Sequence, residues 1–78
     1  MKIEVFIDAL EEEFEDLEPG VLKGDSIFRD NFEWNSINAL IFIALCDTEF
    51  DVMMTADDIS AAVTVQDLFN TIVTKMEV

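Results

Sequence analysis

The residue types that carry chemistry are unevenly supplied in this chain. Of its 78 residues, 18 are aspartate or glutamate, four are lysine or arginine, one is cysteine and none is histidine. Carboxylate pairs suit acid/base work on a glycosidic bond, but in a chain nearly one quarter acidic they arise by chance and mark no site. The stretch from Asp47 to Asp58 lacks the alternating oxygen ligands and central glycine of a calcium loop. A lone cysteine forms no internal disulfide and no thiolate cluster. Without histidine there is neither an imidazole base nor a histidine zinc site, so neither a catalytic residue nor a metal site is expected. Cys46 closes the apolar run Ala39–Cys46 and reads as a buried thiol. Gly20 and Gly24 are the only glycines, too few for a phosphate-cradling loop.

Ser36 stands apart from the other hydroxyls. It falls two residues after Trp34 and directly after Asn35, at the start of the most apolar segment. A serine in the first turn of a helix is a common structural choice. The same place is the positive end of the helix dipole, where an attached phosphate meets free amide hydrogens. Position alone leaves both readings open.

The elements around Ser36 follow from periodicity and cap signals. Ile3, Ile7, Leu10, Phe14 and Leu17 recur at steps of three and four, which predicts a first helix with Val5 and Phe6 widening its apolar stripe. Its other face, Glu4, Asp8, Glu11, Glu12, Glu15 and Glu18, reads as solvated, and Pro19-Gly20 ends it. Residues 19 to 35 have no sustained period, yet Val21, Leu22, Ile27, Phe28, Phe32 and Trp34 are too many large apolar groups for a free linker. The loop is expected to be pinned to the core, with Asp25-Ser26 capping a short turn that holds Ile27 and Phe28.

Asn35 is a good N-cap for a second helix from Ser36 to about Phe50, apolar nearly all round through Ile37, Leu40, Ile41, Phe42, Ile43, Leu45 and Phe50. Val52 to Met54 read as an extended connection. Thr55 and Asp58 form a capping-box pattern that starts a short helix containing Ile59, and Thr64 with Asp67 repeats it before a last helix faced by Val65, Leu68, Phe69, Ile72 and Met76. The expected fold is all-α: one domain over residues 1–78, a four-helix bundle with a long loop between helices one and two and a short third helix.

Net charge and hydrophobicity narrow the partners. Hydrophobic residues make up 51% of the sequence, so a formal charge of -14 coats a folded body, not a disordered tail. For this size a stability of about 3 to 5 kcal/mol is expected. Nucleic acid and anionic membranes meet a surface of their own sign, which leaves basic proteins as the expected partners. The eight-residue run Ala39–Cys46 is far short of a membrane span, and the opening MKIEV is unlike a signal peptide. A cytoplasmic monomer is expected.

The segment EWNSINAL, the stretch on to CDTEF, and DVMMTADDISAAVTVQDL together resemble the acyl carrier protein family over essentially the whole chain. In that family a serine, usually within Asp-Ser-Leu, begins the second helix and carries a 4'-phosphopantetheine arm; the matching triplet here is Asn35-Ser36-Ile37. The resemblance implies a phosphoprotein that is a carrier and not an enzyme. Ser36 would take its arm from coenzyme A through a phosphopantetheinyl transferase. It would then ferry an acyl or related thioester among acyl-transferring, synthase or ligase enzymes with basic docking patches, in fatty acid or polyketide-type biosynthesis. Two departures accompany it. Asn35 replaces an aspartate thought to help hold magnesium during arm transfer. On the face that partners grip, Asn38, Ile41, Ala44 and Thr48 leave only Asp47 clearly acidic. Ile41 either is exposed to a partner or faces the loop. Phe42, Ile43, Cys46, Ile59, Phe69 and Ile72 are expected to wall a space for a short acyl chain or to fill it. The alternative reading is a carrier-fold interaction or structural protein that is never modified.

Overall fold

A computed structural model describes residues 2–31 and 34–76. Helix α1 spans Ile3–Glu13 and buries Phe6 and Leu10, with Ile3, Ile7 and Ala9 at the edge of the core. It stops four residues before the end of its apolar period. Glu11, Glu12 and Glu13 crowd the negative end of the helix dipole, and no basic residue in the last turn offsets them. Phe14 turns into extended backbone while its amide still donates to the Leu10 carbonyl at 2.9 Å, and the Leu17 amide donates to Phe14 O at 3.0 Å. Phe14 and Leu17 reach the core through this turn instead of through a helix face.

The following loop is pinned chiefly by its backbone. Ser26 Oγ accepts the Lys23 amide at 2.9 Å, so Ser26 closes a turn behind it and does not cap the helix ahead. The carbonyls of Gly24 and Ser26 accept the amides of Gln66 and Val65 at 2.8 and 2.9 Å, which satisfies two donors at the start of the last helix. Ile27 and Thr64 pair as an isolated antiparallel bridge. Leu22 and Phe28 are buried, whereas Val21 and Ile27 are exposed; Phe32, expected to help pin the loop, lies outside the described residues. Phe28 opens a one-turn helix, α2 (Phe28–Asn31), which the sequence reading treats as part of the loop.

Helix α3 spans Ser36–Phe50, the range that the Asn35 cap predicts. Phe42, Leu45 and Cys46 are its buried residues, and α1 and the last helix both lie against it. The chain leaves α3 through Asp51 in the left-handed conformation (φ 54°), then runs extended with Val52 and Met54 buried and Met53 outward. Helix α4 (Ala56–Ala61) buries only Ile59, and α5 (Val65–Met76) buries Val65, Leu68 and Ile72. Phe69 is half-buried, its ring tilted against Phe6 at 6.1 Å between centroids. The described residues thus form five helices around one core, an all-α fold.

Candidate functional site

Two local events place Ser36. The backbone of Asn35 is extended, and its Oδ1 accepts the Asn38 amide at 2.8 Å, so α3 begins at Ser36. Trp34 sets the direction of approach: its indole meets the Phe28 ring edge-on at 5.0 Å and the Phe42 ring at 5.9 Å, joining α2 to α3. Ser36 is exposed, at the amide-rich end of a 15-residue helix.

Ser36 also stands on a cleft of about 510 Å³. Trp34, Leu40, Ile43 and Ile59 supply its apolar walls, Ala39 and Ala56 leave room between them, and Arg29 and Ser60 add polar groups. Of the six wall residues expected from the sequence, only Ile43 and Ile59 line it. Phe42, Cys46 and Ile72 are wholly buried, and Phe69 packs against the core beside Phe6. These residues fill the interior, so the cleft takes its walls from Trp34 and Leu40 instead.

Arg29 is the residue that sequence reasoning missed. Its Nη1 donates to the Ala62 carbonyl at 2.7 Å and its Nη2 to the Ile59 carbonyl at 3.0 Å, while the guanidinium carbon lies 4.5 Å from the centroid of the Phe28 ring. An arginine set directly after Ile27 and Phe28 in the apolar part of the loop was the available signal. Its acceptors, 30 and 33 residues away, are backbone atoms that leave no trace in side-chain patterns.

No protein-family model, curated protein or solved structure matches this chain.

The outward face of α3 is apolar near Ser36. Ile37 and Leu40 are 68% and 67% exposed, whereas Ile41 is half-buried against the core. The exposed row is therefore Ile37, Leu40 and Ala44, and it runs on to Asp47. Beyond it the last turn and cap of α3 carry Asp47, Glu49 and Asp51, with no basic residue among them.

Two other carboxylates are held by backbone donors. Asp58 accepts the Thr55 amide at 2.9 Å and pairs with Lys75 Nζ at 3.1 Å, and the Asp67 Oδ2 accepts the Val63 and Thr64 amides, both at 3.0 Å. These amide hydrogens hold both groups below the ordinary aspartate value, with Lys75 adding to the effect at Asp58. Burial pushes the Cys46 thiol up to about 12, which keeps it protonated and non-nucleophilic at neutral pH. Among the described residues, no three acidic or thiol side chains gather to hold a metal ion, and no helix is long and apolar enough to cross a membrane.

Proposed function

We propose that this chain is an acyl carrier protein and that Ser36 Oγ is the attachment point of a 4'-phosphopantetheine arm derived from coenzyme A. The observation that carries the reading is the position of Ser36, exposed at the start of α3 and on the rim of an apolar cleft of about 510 Å³. The likeness of Asn35-Ser36-Ile37 and its flanks to the acyl carrier proteins supports it. On this reading α1, α3 and α5 are the three long helices of a carrier bundle, α4 is its short helix, and α2 is a turn within its long loop.

The residues present fit such a group. The first-turn amides of α3 and its dipole favour a phosphodiester on the Ser36 oxygen. When bound, the arm supplies a thiol that holds cargo as a thioester. Trp34, Leu40, Ile43 and Ile59 withdraw an apolar cargo from water, at about 0.8 kcal/mol per buried methylene. Ile37 and Leu40 give a docking enzyme apolar contact beside Ser36, and Asp47, Glu49 and Asp51 meet its basic residues farther along α3. The chain carries and does not catalyse. Its setting is a cytoplasmic monomer that serves a phosphopantetheinyl transferase and acyl-transferring, synthase or ligase enzymes in fatty acid or polyketide-type biosynthesis.

Incubation with coenzyme A, magnesium and a broad-specificity transferase is expected to add the mass of one arm to the wild type and nothing to Ser36→Ala. Asn35→Asp should speed the transfer, because it keeps the cap and restores a charged oxygen for magnesium. A wild type and an Asn35→Asp variant that both stay unmodified with several transferases would refute the reading. The second reading, an unmodified carrier-fold interaction protein, would then stand. It is favoured by Asn35, which offers magnesium no charge and whose Oδ1 already accepts the Asn38 amide.

A further inference from the structure

Helix α4 is the wall of the Ser36 cleft with the least support of its own. It has six residues, too few to persist as an isolated helix, and buries one of them, Ile59. Two of the chain's four basic residues hold it from outside. Lys75 of α5 pairs with Asp58 in its first turn, and Arg29 of α2 binds the Ile59 and Ala62 carbonyls at its other end.

The Ala62 carbonyl lies just past the last turn of α4, and the Ile59 carbonyl, which also accepts the Ala62 amide at 3.1 Å, has a second lone pair for Arg29; the planar guanidinium offers two diverging donors that reach this pair. The fork is held from behind as well. Phe28, whose ring lies under the guanidinium, is fully buried between the loop and the core, so Arg29 grips α4 from a fixed base. Arg29 and Ile59 also line the cleft together with Ser36. A ligand that needs more width than the cleft offers must push α4 away from α3, and that movement breaks both Arg29 bonds.

We propose that Arg29 is a latch that holds α4 closed over the Ser36 cleft and so sets how bulky an apolar ligand the cleft admits. The latch rests on geometry alone; only its consequence, that the wild type favours short or slender cargo, rests on the carrier reading. Arg29 is a positioning residue, acting through α4. Lysine is not a substitute, since it keeps the charge but presents no planar fork.

The test uses the unmodified full chain, so its result is independent of whether Ser36 accepts an arm. Hydrogen exchange resolved by residue is compared in wild type, Arg29→Gln and Arg29→Lys, together with binding of the uncharged probe N-phenyl-1-naphthylamine. In both variants the amides of Ile59 to Ala62 should exchange about tenfold faster while those of Leu45 and Cys46 keep their rates, and the probe should bind about tenfold more tightly. Equal acceleration in α4 and α3 would reduce Arg29 to a contributor to overall stability and overturn the latch. Unchanged rates and unchanged probe binding would overturn it too. If neither variant folds, the wild type decides the matter: α4 amides must exchange through an opening less sensitive to denaturant than that of α3, and equal sensitivity counts against the proposal.

Discussion

The Glu11 carboxylate, in the last turn of α1, accepts the Gly20 amide hydrogen at 2.8 Å, tying the helix end to a point nine positions on along the chain. One member of the acidic face is therefore a tie and not only a solvated charge. Gly20 meets it with φ of 86°, a conformation that favours glycine.

Both halves of that tie are testable by urea unfolding. Glu11→Ala should lower stability by about 0.5 to 1.5 kcal/mol through the lost bond. Gly20→Ala should cost about 1 to 2 kcal/mol through backbone strain alone, because nothing lies within 4 Å of the added methyl group. A Gly20→Ala protein as stable as the wild type would show that the loop does not hold this conformation in solution.

Two of the phenylalanines that flank Phe6, Phe42 and Phe69, should differ sharply. Phe42 is wholly buried between Phe6 and Trp34, so Phe42→Ala should cost about 3 to 5 kcal/mol, as much as a domain of this size has, and abolish cooperative unfolding. Phe69, expected from its sequence period to be a full core residue, is half-buried, and Phe69→Ala should keep a cooperative transition at a lower midpoint. Equal losses in the two melting curves would contradict this arrangement of the core.

Asp51 ends α3 in the left-handed region and adds negative charge where the dipole is already negative. Asp51→Gly removes both penalties and should raise stability by about 1 kcal/mol in urea titrations. A lower denaturation midpoint would mean that Asp51 has a stabilising contact outweighing both.

Acid should weaken the starts of α4 and α5. The Asp58 and Asp67 carboxyls are held below the ordinary aspartate value of 3.8 in the folded state, so their contribution is fully present above that pH and lost as pH falls through the lowered values. Asp67→Ala should be less stable than wild type at pH 7, and the two thermal midpoints should converge below pH 4. A gap that stays constant down to pH 2 would rule out the charged form of Asp67 as its source.

The sequence was most legible where a signal is local. Asn35, Thr55 with Asp58, and Thr64 with Asp67 each act within three residues, and α3, α4 and α5 begin beside them. The end of α1 was misread because the apolar period continues through Phe14 and Leu17 after the helix has ended. On α3, apolar nearly all round, periodicity names no single buried face, which is why Leu40 and not Ile41 proved to be the outward residue. Most of the cleft was hidden for the same reason, and Arg29 because its acceptors are distant backbone atoms.

Trp34 is the chain's one tryptophan, and there is no tyrosine. Near-ultraviolet excitation at its red edge therefore reads a single indole, wedged between Phe28 and Phe42 on the rim of the Ser36 cleft. Its emission colour and polarisation will respond to what enters the cleft, so the unlabelled protein can report filling of the cleft and capture by a second protein in real time, without a dye attached.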